Sequence, residues 1–462
     1  MTEMLASLCD AHPGQSGVQL LDDGPAALAV RLLLVRRARS SIDAQYYIWR
    51  DDLSGRLLLD ELVAAAARGV KVRLLLDDFG SPGFDRLALP GIEVRLFNPG
   101  RIRRWRWLNA LFDFPRLNRR MHNKSLTVDG IATVIGGRNI GDEYFDAGHP
   151  ALAADLDVLA IGAIAGEVAS DFNRYWNSPA AVPLAHLALP PRPAAQLADT
   201  GARAAWAAAA DSPATHALVD EARDFEWADV RMLSDPPAKV AGAAAGSALL
   251  LPQLLAALGP VRRRLLLVSA YFIPGEQGTA LLGGLAGQGV RVEVLTNSLM
   301  SNNVALVHAW YAPWRLPLLR AGVLLWEMRG RAGERATLGL VPRRLRRRHD
   351  RTSFFRSSAS ELHAKTFIAD GRFLFVGSMN FDPRSWTLNT ELGFLIDSPL
   401  LAGRLEAALD EGLPRFAWAL DAQDGALAWR EEGQRLQPEP GTNWLRRAAL
   451  RLLGALPLGH FF

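Results

Sequence analysis

Two stretches of this chain repeat one pattern of chemically versatile residues. The first reads Met121-His122-Asn123-Lys124-Ser125-Leu126-Thr127-Val128-Asp129-Gly130 and the second Leu362-His363-Ala364-Lys365-Thr366-Phe367-Ile368-Ala369-Asp370-Gly371, so each is H-x-K-x4-D-G. The register continues past the motif: Gly136 and Gly377 each lie seven residues beyond the aspartate, and Asn139 and Asn380 each lie seventeen beyond the histidine. With nine His and four Lys in 462 residues, chance gives one such match less than about once in a hundred sequences, and two with matched tails far more rarely. Paired histidines backed by lysines suit group transfer at phosphorus. One imidazole attacks the phosphorus atom, the other protonates the departing alcohol, and the roles exchange for the second step. An imidazole near its reference pKa of about 6.5 serves either way close to neutral pH. Two lysines and two asparagines converging on the non-bridging oxygens neutralise the charge that grows in the transition state, which removes the need for a metal. Such chemistry needs one site on a pseudo-twofold axis, not two separate ones.

Lysine usage sharpens the point. Of 52 Lys and Arg only four are lysine, namely Lys71, Lys124, Lys239 and Lys365. Where arginine serves as the generic cation, a retained lysine marks a place that calls for a compact ammonium.

Strands must hold these groups. Apolar runs flank Asp129-Gly130 and Asp370-Gly371, both hairpin-turn dipeptides. Residues two apart on an extended chain share a face, so His122 and Lys124 point the same way, as do His363 and Lys365. Each aspartate is an odd number of residues away and turns from that face, which assigns it to the turn or to an internal salt bridge. The surrounding sequence is doubled as well: Ile42-Asp43-Ala44-Gln45-Tyr46-Tyr47-Ile48 parallels Leu267-Val268-Ser269-Ala270-Tyr271-Phe272-Ile273, and Gly69-Val70-Lys71-Val72 parallels Gly289-Val290-Arg291-Val292. In each copy a β-branched run, a helical pattern (53–68; 279–288) and another apolar run spell βαβ units. The expectation is two similar α/β domains, each a mixed, mostly buried sheet with helices on both faces, over 1–178 and 239–420. An Ala- and Pro-rich linker is expected over 179–238 and a tail over 421–462.

Composition narrows the classes. One cysteine, Cys9, excludes a disulfide scaffold and a Cys-based zinc cluster. The first residues lack a basic segment followed by an apolar core, so no signal peptide is expected, and the uncharged run 240–261 is broken by Gly and Pro, which argues against a spanning helix. No lysine follows a glycine, no His precedes Glu, and neither GxGxxG nor GxSxG occurs, so nucleotide-loop, zincin, dinucleotide and α/β-hydrolase chemistry lose their usual marks. Net charge is only +4, but 101–124 holds seven Arg and one Lys against Asp113, and 343–351 holds six Arg against Asp350, which points to an anionic partner such as phosphate on lipid or nucleic acid.

The duplicated HxKxxxxD with its trailing G-x-x-N resembles the phospholipase D superfamily over 38–397. FNPG before a basic, Trp-containing segment, RLNRRMHNKSLTVDG, GGRNIGDEYF, the element Ser234-Asp235-Pro236-Pro237-Ala238-Lys239 and GSMNFDPRSWTLNTELGFLI are similar to bacterial cardiolipin synthases of the C type. The resemblance implies a phosphohistidine intermediate, no metal or other cofactor, and transfer of a phosphatidyl group to an alcohol. It marks His122, Lys124, Asp129, His363, Lys365 and Asp370 as the motif residues of a catalytic centre, and Asn139, Asn380 and Ser378 as substrate-binding residues. The first copy departs from the second in having Gly137 where the second has Ser378, so a hydroxyl contact to phosphate is expected on one side only. Superfamily members orient an active-site histidine with an acid that follows the motif, often across the twofold. That adds Glu391 for His122 and Asp155 for His363 to the catalytic set, with Asp157 competing for the second place. Family precedent makes His122 the nucleophile and His363 the acid.

The activity implied is that of a cardiolipin synthase, passing a phosphatidyl group from phosphatidylethanolamine or phosphatidylglycerol to phosphatidylglycerol. A hydrolase releasing phosphatidic acid, a nuclease on the same scaffold and a non-catalytic lipid-binding protein are the alternatives. The implied setting is the cytoplasmic face of the bacterial cytoplasmic membrane, peripherally, on an anionic surface rather than on nucleic acid. Trp105 and Trp107 among arginines form an interfacial anchor or, alternatively, cap the domain, with the anchor the reading preferred. In the tail, Trp444, Leu445, Ala448, Ala449, Leu452 and Leu453 form one helical stripe opposite Arg446, Arg447 and Arg451; it either lies on a bilayer or packs on the second domain, and the second is the reading preferred. The remaining histidines have no motif around them and read as ordinary surface or core residues.

Overall fold

The computed structural model describes residues 2–454 except 104, 106–107, 146–152, 188–191, 194–199, 221–224, 245, 303, 331–360 and 423–424. The 343–351 arginine cluster, Trp107, His149, His349 and His460 therefore lie outside the described residues.

Each half is a mixed sheet built in the same order. In the first, the parallel strands Ser41–Tyr46, Lys71–Asp77 and Ile92–Phe97 lie side by side. Antiparallel to Ser41–Tyr46 runs Ser125–Val128, then Ala132–Gly136, Asp157–Gly162 and Ser16–Leu21. In the second, Arg264–Ser269, Arg291–Asn297 and Leu324–Met328 are parallel. Lys365–Ala369, Phe373–Gly377, Leu392–Asp397 and Glu226–Ser234 follow antiparallel in the same sequence. The registers correspond, Ile42 pairing with Val128 and Leu265 with Ala369, so Ile42 is equivalent to Leu265, two residues from the Leu267 that the sequence parallel suggested. Helices Leu53–Ala67 and Gly275–Gly287 make the first crossover in each copy, and the central strands are buried on both faces, which their near-continuous apolar sequences require.

Of the apolar cores among the described residues, the three largest lie one within each half and one between them. Val18, Ile135, Val158 and Ile164 of the first half meet Val268, Ile368, Phe394 and Leu405 of the second in this middle layer. The ladder is continuous as well, because Ser16–Leu21 pairs with Glu226–Ser234. The two-domain α/β layout expected from the repeat is what the chain adopts, with one difference in its joints. The 179–238 segment read as a linker carries a sheet strand near each end, Ala181–Pro183 on the edge of the first sheet and Glu226–Ser234 in the second. Helices Thr200–Ala210 and Pro213–Asp220 between them pack on Gly24–Arg37 of the first half. The second sheet thus begins before residue 239. The uncharged run 240–261 forms only short helical pieces, including Leu250–Leu258, and among the described residues no helix is long and apolar enough to cross a membrane.

The tail helix Trp444–Gly454 also departs from expectation. It rests on Ala305–Tyr311, but through Leu450, which joins Leu299 and Ala309. The predicted packing stripe faces outward instead: Trp444, Leu445, Ala448, Ala449, Leu452 and Leu453 are all exposed.

Candidate active site

The two motifs occupy equivalent places at the carboxyl ends of the parallel strands. Ser125, three residues after His122, pairs with Gln45 near the end of its strand, and Lys365, two after His363, pairs with Ser269 at the end of its strand. Each motif then borrows a backbone partner from the other half. The His122 amide donates to Thr390 O at 2.9 Å, the His363 amide donates to Ala154 O at 2.8 Å, and Glu361–Leu362 pairs in parallel with Ala153–Ala154.

That exchange carries the acids with it. His122 Nδ1 lies 2.8 Å from Glu391 Oε2, and His363 Nδ1 lies 2.5 Å from Asp155 Oδ2. Each imidazole is therefore held by a carboxylate of the opposite half, and its Nε2 is the ring nitrogen left for a substrate. Asp157, the competitor, is taken elsewhere. It pairs with the buried Arg31 at 2.8 Å and sits 3.4 Å from Arg138.

The lysines stand beside the rings. Lys124 Nζ donates to His122 O at 2.7 Å and lies over the Tyr47 ring, and Lys365 Nζ donates to His363 O. Burial brings the Lys124 pKa down to about 7, with Lys365 adding to the fall while Glu391 and Asp155 oppose it. Lys365 is lowered by burial too, against Asp155 and Glu391. The His122 imidazole is pushed well below its ordinary range by burial, then by the charges of Lys124, Lys365 and Arg384. His363 falls to about 4 through burial and Lys365, with Asp155 and its hydrogen bond opposing. His122 and Lys124 thus feel the charge of Lys365, and His363 that of Lys124, as in a single cluster.

The acids differ. Burial raises the Glu391 pKa to about 7, against Lys124 and a hydrogen bond from Ser378. Burial would also raise Asp155, but His363, its hydrogen bond and Lys365 outweigh it and hold Asp155 below the usual carboxylate range.

Several residues that the resemblance places on substrate or catalysis have protein partners in the structure. Asp129 and Asp370 close type I′ hairpins, with positive φ at Asp129 (53°), Gly130 (67°), Asp370 (57°) and Gly371 (64°). The Asp129 carboxylate accepts from the amides of Arg39, Ser40 and Ser41, and Asp370 from those of Arg262, Arg263 and Arg264. They lie at the far ends of their strands, roughly 20 Å along the chain from the histidines, and so fasten the fold rather than the reacting atoms. Ser378, expected on phosphate, is fully buried and donates to Glu391 Oε2 at 2.5 Å. Asn139 is engaged at both ends, accepting from the Ile48 amide at 3.1 Å and donating to Tyr144 OH at 3.1 Å. Asn380 Oδ1 accepts from the Tyr271 amide at 3.3 Å, so its carbonyl end sets a loop. Gly137 has a clear cause: a Cβ there would lie 2.0 Å from Asp155 Oδ1, so the first copy cannot keep a serine and this carboxylate together.

The family model described as cardiolipin synthase, PLD-like domain, matches residues 33–176 and 254–412, one span around each motif. The chain is 44% identical to cardiolipin synthase C of Escherichia coli (strain K12), over 98% of this chain and 97% of that protein. This chain belongs to the phospholipase D-like cardiolipin synthase family. Cardiolipin synthase A of Pseudomonas syringae pv. syringae (strain B728a) is 27% identical over 85% of this chain and 67% of its own length. The crystal structure of phosphatidylserine synthase from Haemophilus influenzae Rd KW20 superposes with a TM-score of 0.59 over 97% of this chain and 96% of that one at 15% identity, which places the fold.

Within this cardiolipin synthase family member, sequence reasoning missed the residues that brace the site from behind. Tyr47 packs edge-on against His122 at 5.1 Å between ring centroids, and Tyr144 against His363 at 5.2 Å. Lys239 is buried, bonds Asp235 Oδ2 at 2.8 Å and Ser385 O at 2.8 Å, and the same Asp235 oxygen accepts the Glu391 amide at 3.0 Å. The scarcity of lysine pointed there; nothing in the sequence said that Lys239 anchors the acid behind His122.

Proposed function

We propose that this protein is a cardiolipin synthase whose single site is formed by His122, Lys124 and Glu391 on one side and His363, Lys365 and Asp155 on the other. His122 Nε2 attacks the phosphorus of a bilayer phospholipid, phosphatidylethanolamine or phosphatidylglycerol. The bond from phosphorus to the head alcohol breaks as His363 gives that oxygen a proton, leaving the phosphatidyl group on His122. A glycerol hydroxyl of phosphatidylglycerol then surrenders its proton to His363 and attacks the phosphorus, and His122 departs. One phosphodiester replaces another, so the exchange is nearly isoenergetic and needs no nucleotide.

The observation that carries this reading is the crossed pairing of each histidine with the other half's carboxylate. An ionised carboxylate at Nδ1 fixes the tautomer and leaves Nε2 as the acting atom. The difference between the acids favours the division of labour. The ionised Asp155 opposes the fall of the His363 pKa, so proton uptake is favoured at this ring, and the charge of a bound phosphodiester favours it further. His122, deep and surrounded by cations, stays neutral, as a nucleophile must. Two buried lysines of lowered pKa form a site short of negative charge, and a phosphodiester supplies it.

The test is incubation of the purified protein with phosphatidylglycerol, with and without phosphatidylethanolamine, and separately with single-stranded DNA. Cardiolipin is expected from the lipid incubations. Phosphatidic acid alone, or nucleotides from DNA, would overturn the reading. His122→Ala and His363→Ala should each lower kcat by at least roughly 10²–10⁴-fold.

A further inference from the structure

The tail helix presents its apolar stripe to solvent although Leu450 shows that it has a core to pack against. Trp444 is 69% exposed, Leu445 58% and Leu452 72%. The helix is set in this orientation: it approaches the protein so closely that a Cβ on Gly454 would lie 2.7 Å from Ala309 O. Segment 444–454 contains three arginines and no acid. The first half has a matching outcrop, with Phe79 72% and Phe112 77% exposed and Leu111 beside them. Segment 101–117 around it contains five Arg against Asp113 alone.

Both outcrops lie at the end of the molecule that holds the histidines. Asp77, at the end of Lys71–Asp77, bonds Arg120 and the Met121 amide next to His122, and Phe79 follows two residues later. At the end of Arg291–Asn297, Asn297 bonds Leu362 next to His363, and Leu299, two residues on, packs with Leu450 of the tail helix.

We propose that these two outcrops, one from each half, form the surface by which the protein docks on an anionic phospholipid bilayer, with the site opening between them. Apolar side chains enter the acyl boundary while arginines meet phosphates at the headgroup level. Arg103 is paired with Asp78 and Asp85 and Arg116 with Asp113, yet both outcrops keep an excess of arginine over acid, so the partner is an anionic bilayer rather than a second copy of this chain, whose matching face would carry the same positive excess. The proposal rests on the reading of the substrate as a bilayer phospholipid, and its test separates the two.

The full chain and two variants, Trp444→Ser/Leu445→Ser/Leu452→Ser and Phe79→Ser/Phe112→Ser, are sedimented with vesicles of phosphatidylcholine alone or mixed with phosphatidylglycerol. Transfer activity is measured in parallel on short-chain phosphatidylglycerol dispersed in detergent. The parent protein is expected to partition onto the mixed vesicles, and each variant to lose at least about tenfold in partition while keeping its detergent activity and melting temperature. Sedimentation of both variants like the parent would overturn the proposal. So would a parent dimer that the tail variant dissociates while vesicle binding stays intact. Absence of transfer by the parent in detergent would overturn the functional reading, and the vesicle arm would still decide the docking surface.

Discussion

Glu391 and Asp155 hold equivalent histidines with different chemistry, and the cause lies in two small residues. Ser378 donates to Glu391, and Gly137 makes room for Asp155. A hydrogen bond to the charged form lowers a carboxyl pKa, so Ser378 keeps Glu391 below the value that burial alone sets. Ser378→Ala removes that restraint, and Glu391, already at about 7, rises further. The acidic limb of the kcat profile should move to higher pH by roughly one unit, since a hydrogen bond to a charged group contributes about 1.5–3 kcal/mol and one unit corresponds to about 1.4. Profiles recorded from about pH 5 to about pH 9 check this, and an unmoved limb means that another group governs it. At the other histidine, Gly137→Ser drives a side chain into Asp155 and should cost at least roughly 10²-fold in kcat, with a lower melting temperature, because His363 loses its orientation. The asymmetry was half legible. The resemblance marked both acids and the register marked the Gly–Ser difference, but that Ser378 bonds Glu391 depends on a fold-back that spacing does not encode.

Among the elements, the hairpins show why alternation along a strand is informative. An odd separation put Asp129 and Asp370 on the far face, and they are the clasps that tie each hairpin to the start of the adjacent parallel strand. Asp129→Ala should destabilise the protein by about 1–2 kcal/mol, discounted because the group is partly solvated, while the folded variant keeps its kcat. The Asp129 pKa is lowered on folding even though burial alone would raise it, because the amides of Ser41, Ser40 and Arg39 outweigh that effect. This stabilisation is therefore present above the unfolded carboxyl value and lost as pH falls through the folded one. Urea titrations at neutral and acid pH should show the variant's deficit at neutral pH and its disappearance in acid. Other elements were hidden. Glu226–Ser234 carries charged residues on a half-exposed face and follows an Ala- and Pro-rich stretch, so its period is faint. An amphipathic stripe such as that of the tail helix shows that a helix is two-faced without showing which face turns inward; only Leu450 and Gly454 decide it.

For the molecule as a whole, the repeat announced two domains, but the middle core and the continuous ladder join them into one body. Thermal unfolding should be a single transition with calorimetric and van't Hoff enthalpies in agreement, and two resolved transitions would show halves that stand alone. The crossed carboxylates also bear on descent. A homodimer of one half would form both pairs by symmetry, with identical acids on either side of its axis. Fusion into one polypeptide frees each copy to mutate separately, yet leaves each dependent on its sibling for the acid behind its own histidine. Divergence of role and mutual indispensability are thus two results of one inherited exchange.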